Sequence, residues 1–541
     1  MNGPTIGSRG YHSRMNRRDF VSAISLGLVG GLPVFGENGL AEVMTGDPNV
    51  ADPTSGQATS AIGGLEFASA LVAAAAIRKR HISSFELTQQ TFARIDKFNP
   101  QLNAFAYQLR EDAIARAKQA DETQAGGKSL GVLHGVPIHV KESFAVAGHP
   151  CTWGIPALKD SRAPSDSEVV KRLRDAGAVL IGATNVPIAL GDWQSYNQIY
   201  GTTNNPWDLK RTPGGSSGGS ASALAAGLGY LSVGSDIGGS LRVPAHFCGV
   251  YAHKPTLDLV DMQGHSPGGS RQDPGFSTLL AVGGPLARSA EDLLAALRVL
   301  GGPADYSAKA WKWELPEARH ESLREFRVGY VLDDPYCPVT PETKALLENA
   351  IEKLEKAGAT LQRGWPAGFR LEELNRNYRF HLDAFMFSVD PPEQQDAERK
   401  AAGESGKVVP GLASFADWQQ QNFRRLRYRA QWQSYFDEVD VFLSPVAFTT
   451  AFKHDHSEPQ EKRRIATVNG PRDYDDMFSW IAPATLTGCP ATIAPAGRAE
   501  GGLPIGLQIM GPFWEDATPI IFAKLLAQVS GGFVAPPGYE V

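Results

Sequence analysis

The sequence predicts an α/β protein, and three observations support that fold class. Helical and strand-like stretches alternate along the 541-residue chain, which is typical of a sheet covered by helices. Hydrophobic residues make up 42% of the chain and charged residues 20%, as in globular proteins with a large core. The 57 glycines and 37 prolines follow no period, so they indicate turns and loops between many elements.

The first predicted helix begins after Ser83. Ser83 and Glu86 form a capping-box pattern, and Leu87, Thr91 and Ile95 then repeat at helical spacing. The later stretches predict, in order, a polar helix before Gly177, strands at 178–181 and 328–331, a helix with its apolar face at 346–354, strands at 439–443 and 505–510, and a terminal helix after Asp516.

Residues 1–41 are predicted to be an export signal. They hold several arginines and no lysine, and the apolar run at 20–36 is too short and too polar to span a membrane. The Arg17-Arg18 pair resembles the twin-arginine motif, which predicts export of the folded protein to the periplasm of a bacterium or out of the cell. Residues 42–60 are then a flexible lead-in, and residues 61–541 are predicted to form one domain.

The charge balance excludes one class of partner. With 52 Lys and Arg against 58 Asp and Glu, the net charge is −6, so the chain offers no basic field for nucleic acid. No stable membrane association is expected after export, because no later segment stays apolar for long enough to span a bilayer.

The four cysteines form no C-x-x-C pair and are interpreted as buried packing residues.

Lys141 is the first candidate catalytic residue. It ends the apolar, strand-like run 135–140. Burial disfavours the ammonium form of a lysine, and a neutral amine is a competent general base. If it stood alone, Lys141 would be better explained by an ion pair with Glu142 or another acid.

The run from Gly234 to Ser240 predicts an anion-binding loop. Its consecutive backbone N–H groups lie beside glycines where a helix is expected to begin, so they can surround an oxyanion. Ser240 would then be a nucleophile inside its own oxyanion hole.

A competing pattern lies at 214–218, which matches the G-x-S-x-G nucleophile elbow of α/β-hydrolases. That elbow needs a hydrophobic strand directly before it, and Arg211, Thr212 and Pro213 stand there instead. A Ser-His-Asp hydrolase that uses Ser216 stays open as an alternative. It requires a histidine within hydrogen-bond reach of Ser216.

Three segments together resemble the amidase signature family of serine hydrolases. They are 135–142, the Gly- and Ser-rich block 213–226, and 234–244, and the likeness continues through Lys254-Pro255-Thr256 to Gly502-Leu503-Pro504-Ile505-Gly506-Leu507-Gln508. The resemblance covers nearly the whole chain after the predicted signal. It implies a large mixed β-sheet surrounded by α-helices.

The resemblance also implies a Ser-Ser-Lys catalytic triad. In that triad Ser240 is the nucleophile, Ser216 bridges and follows a cis peptide bond, and Lys141 is the base. The implied oxyanion-hole donors are the amides of Ile237, Gly238, Gly239 and Ser240. The residues implied to support the loop are Ser217, Asp236 and Arg242.

The activity that the resemblance implies is hydrolysis of a carboxylic amide to an acid and an amine or ammonia. The implied partner is a small-molecule amide, no metal or organic cofactor is implied, and a homodimer stays open. One alternative is the glutaminase-type A subunit of an aminoacyl-tRNA amidotransferase, which the predicted export disfavours because tRNA and ATP are cytosolic. Another is a non-catalytic binding protein on the same fold, which the intact triad disfavours.

A set of aromatic residues is a further candidate, for the wall of an apolar acyl pocket. Packing in the core is the simpler role for this set. It consists of Trp193, Tyr196, Phe380, Phe385, Phe387 and Trp418.

Overall fold

A mixed β-sheet of eleven strands forms the centre of the protein in the computed structural model, which describes residues 64–269, 279–390, 392–405 and 409–540. Helices surround this sheet. The predicted fold class, an α/β protein with a large mixed sheet covered by helices, is confirmed.

Two predicted segments, the export signal at 1–41 and the lead-in at 42–60, lie outside the described residues. The domain boundary at residue 61 likewise stays a prediction.

Strands are short, and seven of the eleven strands in the large sheet are buried along their whole length. In chain order they are β1 (Phe105–Gln108), β2 (Pro137–Lys141), β3 (Val179–Thr184), β4 (Tyr196–Asn197), β5 (Gly201–Thr202), β6 (Leu231–Asp236), β7 (Tyr251–Lys254), β8 (Val282–Ala287), β9 (Arg327–Tyr330), β10 (Thr360–Arg363), β11 (Val441–Pro445), β12 (Arg464–Thr467), β13 (Gly470–Asp473), β14 (Ala491–Arg498) and β15 (Pro504–Met510).

The described α-helices vary more in length than the strands. In chain order they are α1 (Ala70–Arg78), α2 (Ser84–Leu102), α3 (Arg110–Ala125), α4 (Glu168–Asp175), α5 (Gly218–Ala225), α6 (Arg242–Cys248), α7 (Ala290–Leu300), α8 (Pro341–Lys356), α9 (Leu371–Val389), α10 (Pro392–Ser405), α11 (Phe415–Tyr435), α12 (Ala482–Thr487) and α13 (Ala517–Ser530).

Strand order in the large sheet is β1-β3-β2-β6-β8-β7-β14-β15-β11-β9-β10. Near one edge β2 runs parallel to both of its neighbours, β3 and β6. The middle of the sheet is antiparallel, and β11, β9 and β10 are again parallel at the other end. The carboxyl ends of β2 and β6 therefore meet at one edge of the sheet, where polar groups gather in α/β proteins.

The predicted helix start at Ser83 is confirmed. The Glu86 amide donates to the Ser83 hydroxyl at 3.1 Å, and the Ser83 amide donates to the Glu86 carboxylate at 3.0 Å. The other predicted elements are present with ends shifted by a few residues.

Side chains alternate between the two faces of the sheet, and a separate apolar cluster covers each face. In β11, Val441 and Leu443 belong to one cluster and Phe442 belongs to the other. In β14, Ile493 and Ala494 divide in the same way. The four cysteines are buried and unpaired, which confirms their predicted packing role.

Among the described helices, none combines the length and the apolar character that crossing a bilayer requires.

Candidate active site

Lys141 is the last residue of β2, and it is fully buried. Its Nζ lies 2.7 Å from Ser216 Oγ and 2.9 Å from Ser235 Oγ, and it donates to both hydroxyls. The structure thus joins two of the residues implied as a triad. It also adds Ser235, for which the sequence predicted no role.

The sheet explains why Ser235 reaches Lys141. Strands β2 and β6 are parallel neighbours in which Val140 pairs with Val233, so the residues that follow each of them lie side by side. Lys141 ends β2, while Ser235 and Asp236 end β6. A polar residue at the end of a strand parallel to the lysine strand was the signal that could have identified Ser235.

Burial changes the acid–base behaviour of Lys141. Removal from water lowers the pKa of Lys141 to about 7, and the nearby Asp236 carboxylate offsets only part of this effect. An amine with this pKa is half neutral near pH 7, so it can accept a proton under ordinary conditions.

Glu142 does not pair with Lys141, so the ion-pair explanation of the lysine is wrong for this acid. The Glu142 carboxylate accepts hydrogen bonds from the Thr152 amide at 2.6 Å, the Trp153 amide at 2.9 Å and the Tyr200 hydroxyl at 3.0 Å. Within the described residues Lys141 forms no salt bridge.

Ser216 is buried and follows a cis peptide bond with Gly215, as the resemblance implied. Only glycine fits at position 215, because a Cβ there would overlap the Asp192 carbonyl oxygen. The next residue, Ser217, directly precedes α5 and forms hydrogen bonds with two other segments of the site. Its amide donates to the Ser240 carbonyl at 3.2 Å, and its hydroxyl donates to the Ser235 carbonyl at 3.3 Å.

Ser216 accepts its hydrogen bond from a lysine, which disfavours the Ser-His-Asp alternative. Among the described residues no histidine forms a hydrogen bond with Ser216. Ser216 and His265 both line one cavity, but the His265 ring is paired with the Ser143 hydroxyl at 3.0 Å. Burial lowers the pKa of His265 to about 3, with a further contribution from Lys141, so its ring is neutral.

Ser240 stands at the end of the loop, two residues before α6 begins. It is buried and lines the same cavity as Ser216. No hydrogen bond joins the Ser240 and Ser216 hydroxyls in the part of the chain that the structure describes.

The loop amides differ from the implied oxyanion hole at one position. The Gly239 amide donates to Asp236 Oδ1 at 2.9 Å, so it supports the loop from within. The amides of Ile237, Gly238 and Ser240 make no hydrogen bond to another described residue. These three are the N–H groups that the loop can offer to an anion.

Asp236 and Arg242 form a fully buried ion pair beneath the loop. Arg242 Nη2 lies 2.9 Å from Asp236 Oδ1, and Arg242 Nε donates to Asp236 Oδ2 at 3.0 Å. Burial alone would raise the pKa of Asp236, but Arg242 holds that pKa below its ordinary value, so the carboxylate stays charged. Both residues have the supporting contacts that the resemblance implied.

A cavity of about 340 Å³ opens beside Ser216 and Ser240. Its wall includes four aromatic side chains, those of Trp153, Trp193, Phe385 and Phe478. Of the aromatic set predicted from the sequence, Trp193 and Phe385 line this cavity. The remaining four are not among its lining residues: Tyr196, Phe380, Phe387 and Trp418.

Charged groups stand at another part of the cavity wall. Arg379 is placed between Asp475 at 3.1 Å and Asp383 at 3.5 Å, and its guanidinium lies over the Phe478 ring. Across the described ranges, no group of three or more His, Cys, Asp or Glu residues is arranged to hold a metal ion.

Comparison with known proteins gives a consistent result over most of the chain. Residues 86–371 and 397–519 match the family model named Amidase. An indoleacetamide hydrolase from Bradyrhizobium diazoefficiens is 33% identical over 461 residues, which cover 83% of this chain and 84% of that protein. The A subunit of a glutamyl-tRNA(Gln) amidotransferase from Synechococcus elongatus is 32% identical over 468 residues, or 80% of this chain and 92% of that protein.

Solved structures agree with the fold. A chain from a vestigial protein complex, described as revealing the evolutionary origins of an s-triazine catabolic enzyme, superposes with a TM-score of 0.71 at 27% identity, covering 86% of this chain and 99% of that one. A bacterial aryl acylamidase superposes with a TM-score of 0.72 at 23% identity, covering 86% of this chain and 96% of that one, and it supports the fold alone.

Proposed function

This chain belongs to the amidase signature family and is a serine amidase acting on carbon–nitrogen bonds, and from that premise we propose that it hydrolyses a carboxylic amide through an acyl-enzyme on Ser240. The observation that carries the proposal is the buried contact of 2.7 Å between Lys141 Nζ and Ser216 Oγ, beside a cavity that both Ser216 and Ser240 line.

The first step of the reaction forms a tetrahedral intermediate on Ser240. Neutral Lys141 donates one hydrogen bond to Ser235 and accepts the proton of Ser216, while Ser216 accepts the proton of Ser240. The Ser240 oxygen then bonds to the amide carbonyl carbon, and the negative charge moves to the carbonyl oxygen. Hydrogen bonds between catalytic groups often form only in the substrate complex, and the Ser216–Ser240 contact is expected to do so.

The second step reverses the same proton path and leaves the acyl group bound to Ser240. The amide nitrogen takes a proton from Ser216, which Lys141 resupplies, so the C–N bond breaks and a neutral amine or ammonia departs. Water then attacks the acyl carbon as its proton passes to Ser216 and Lys141. The carboxylic acid leaves when the Ser240 oxygen regains a proton, which restores the resting enzyme.

The oxyanion is stabilised by the loop that precedes α6. The amides of Ile237, Gly238 and Ser240 are the proposed donors, whereas Gly239 serves the loop through Asp236. The buried ion pair of Asp236 with Arg242 supports this loop.

The cavity supports an amide with an apolar acyl group as the substrate. Its volume, about 340 Å³, suits a small molecule with one or two rings, and its aromatic walls favour apolar contacts. The relative from Bradyrhizobium diazoefficiens is named for indoleacetamide, an amide of this kind. We propose small aryl or alkyl amides as the first class to assay.

Fluorophosphonate labelling tests the catalytic assignment without knowledge of the substrate. Peptide mapping of the labelled protein should place the adduct on Ser240, and Ser240→Ala and Lys141→Ala should each remove it. Ser232→Ala is the matched control, since Ser232 is a buried serine of the same strand as Ser235 and makes no hydrogen bond with Lys141. An adduct on Ser216 alone would overturn the choice of nucleophile, and a folded wild-type protein without an adduct would favour the binding-protein alternative.

The glutaminase-type alternative is distinguished by its substrate. Ammonia release from glutamine that exceeds release from aryl and alkyl amides would favour that alternative. The similarity to the A subunit of an amidotransferase over 80% of the chain makes this assay necessary.

We propose, finally, that residues 1–41 direct export of the folded protein. The Arg17-Arg18 pair and the short apolar run after it support this proposal. Cell fractionation should find a shortened protein in the periplasm or the medium, and Arg17→Lys combined with Arg18→Lys should retain it in the cytosol. A protein of full length in the cytosol of wild-type cells would contradict the proposal.

A further inference from the structure

Two carbonyl groups of the loop that precedes α6 are held by buried side chains. The Tyr378 hydroxyl donates to the Ile237 carbonyl at 2.9 Å, and Trp193 Nε1 donates to the Gly238 carbonyl at 2.9 Å. Tyr378 is fully buried in α9, and Trp193 is buried in the wall of the cavity. Both contacts come from parts of the chain outside the catalytic motifs.

The direction of each carbonyl fixes the direction of the amide in the same peptide group. The peptide bonds of this loop are trans, and in a trans peptide the C=O and N–H groups point in opposite directions. Tyr378 therefore makes the Gly238 N–H point away from the buried side of the loop. Trp193 acts on the next peptide, whose N–H already donates to Asp236.

The Ile237–Gly238 peptide group has fewer hydrogen bonds than the Gly238–Gly239 peptide group that follows it. In the Gly238–Gly239 peptide group, the Gly238 carbonyl accepts a hydrogen bond from Trp193 and the Gly239 N–H donates one to Asp236. In the Ile237–Gly238 peptide group, the Ile237 carbonyl accepts a hydrogen bond from Tyr378, while the Gly238 N–H has no partner among the described residues. Glycine at 238 adds conformational freedom, because it has no side chain to oppose rotation of the peptide plane.

We infer that Tyr378 is a positioning residue for the oxyanion hole, which holds the Gly238 amide toward the bound carbonyl oxygen. The inference rests on the proposed function. Without the Tyr378 hydroxyl the Ile237–Gly238 peptide can turn, and a turned plane presents a carbonyl oxygen where the oxyanion forms. Burial raises the pKa of Tyr378 above its ordinary value, so the hydroxyl remains a donor at every working pH.

The helix that carries Tyr378 also contacts the substrate space. Arg379, Leu382 and Met386, all in α9, line the cavity, whereas Tyr378 itself is on the buried side of the loop. A Cβ built on Gly238 would lie 3.2 Å from Phe478 and 3.6 Å from the Tyr378 hydroxyl, so both side chains lie next to this residue. One helix thus supplies part of the substrate wall and one anchor of the oxyanion loop.

The test measures the second-order rate constant for fluorophosphonate labelling of Ser240, in which the P=O oxygen occupies the oxyanion hole. Tyr378→Phe should label about tenfold more slowly than wild type, while the pH midpoint of labelling stays unchanged because Lys141 is untouched. Replacing Tyr378 by 4-aminophenylalanine keeps a donor at the same place and should restore the rate to within about threefold of wild type.

Tyr435→Phe is the matched control. Tyr435 packs in the same apolar cluster as Tyr378 and donates to a backbone carbonyl, that of Gly364, at 3.4 Å. This variant should label at the wild-type rate. If Tyr378→Phe does not yield folded protein, 4-fluorophenylalanine replaces it, since that side chain fills the space of the hydroxyl but cannot donate.

Three results would overturn the inference. Tyr378→Phe could label at the wild-type rate, Tyr435→Phe could lose as much labelling rate as Tyr378→Phe, or 4-aminophenylalanine at position 378 could fail to restore the rate. Failure of wild type itself to label Ser240 would instead refute the proposed function. The two failures are therefore distinguishable.

Discussion

Lys141 and Ser216 are 75 residues apart in the chain, yet Lys141 Nζ lies 2.7 Å from Ser216 Oγ. The lysine is fully buried and the serine nearly so. The contact joins the end of a sheet strand to the turn before α5. In that place a lysine loses hydration and gains two hydroxyl partners without a carboxylate in direct contact, which are the conditions for a neutral amine.

The pH dependence of activity should follow the pKa of Lys141, which burial lowers to about 7. Because the neutral amine is the proposed base, kcat/KM for an uncharged amide should fall about tenfold per pH unit below that value and level off above it. Steady-state kinetics between about pH 5 and 9 would measure the profile.

Lys141→Arg is the control for this profile, since a guanidinium keeps its proton at every pH in the range. We expect a loss of about 10³-fold or more in kcat/KM and no rising limb near pH 7. A wild-type profile that stays flat down to pH 5 would show that a group other than Lys141 is the base.

Stability should respond to pH through the same residue. The folded-state pKa of Lys141, about 7, lies below the ordinary value of 10.5, so between these values the unfolded chain binds more protons here than the folded protein does. The free energy of unfolding therefore rises with pH across this window, by at most about 1.4 kcal/mol per unit. Below about pH 7 both states are protonated, and the cost of the buried ammonium is constant.

Lys141→Met isolates this effect, because all other titrating groups are shared with wild type. Urea unfolding at about pH 7, 8.5 and 10 should show wild type gaining stability relative to Lys141→Met at each step. A constant difference between the two proteins would mean that Lys141 has its ordinary pKa in the folded state.

Much of the fold could be predicted from local patterns. The capping box at Ser83 and the apolar runs of β3 and β15 depend on neighbours in the sequence, so periodicity and caps identified them. The strand order could not be predicted in this way, because the pairing of β2 with β6 is a long-range contact.

The site was predicted in part, for the same reason. Lys141, Ser216 and Ser240 lie in motifs that resemble a known family. Ser235 lies in the same segment as Ser240 but was given no role, and no local pattern marks Tyr378. Ser235 reaches Lys141 through strand pairing, and Tyr378 reaches Ile237 from a helix 141 residues away in the chain. The hydrogen bond from the Gly239 amide to Asp236 depends on the conformation of the folded loop, which a sequence motif does not specify.

Ser235→Ala should weaken catalysis by loosening Lys141. Ser235 accepts the second hydrogen bond of Lys141 Nζ, so its loss leaves the amine less well oriented toward Ser216. We expect kcat/KM to fall about tenfold, and the pH midpoint of the rising limb to move down because the ammonium form loses an acceptor.

Ser232→Ala is a matched control for this prediction, because Ser232 is buried in the same strand and its hydroxyl has no hydrogen-bond partner among the described residues. Its profile should coincide with that of wild type. If Ser235→Ala kept both the rate and the midpoint, the contact with Lys141 would have no part in the reaction.

Arg242→Met should destabilise the protein and disable the loop together. Arg242 is fully buried, pairs with Asp236, and donates to the Ile481 carbonyl at 2.8 Å and to the Gln508 side chain at 2.9 Å. Its removal leaves the Asp236 carboxylate buried without a countercharge, which costs about 3–5 kcal/mol. Urea unfolding should show this loss, and the fluorophosphonate labelling rate should fall because the loop amides lose their frame.

The matched control is an exposed pair, Lys171 with Asp175, whose atoms lie 3.1 Å apart with side chains 48% and 68% exposed. Lys171→Met should change the free energy of unfolding by no more than about 1 kcal/mol and leave labelling unchanged, since solvent screens such pairs. If Arg242→Met and Lys171→Met lost stability and labelling rate equally, the proposed role of Arg242 would be contradicted. The buried ion pair would then support the loop no more than an exposed pair does. An Arg242→Met protein that keeps its stability but labels slowly would place the effect of Arg242 on the loop alone, through Asp236 and the Gly239 amide that Asp236 holds.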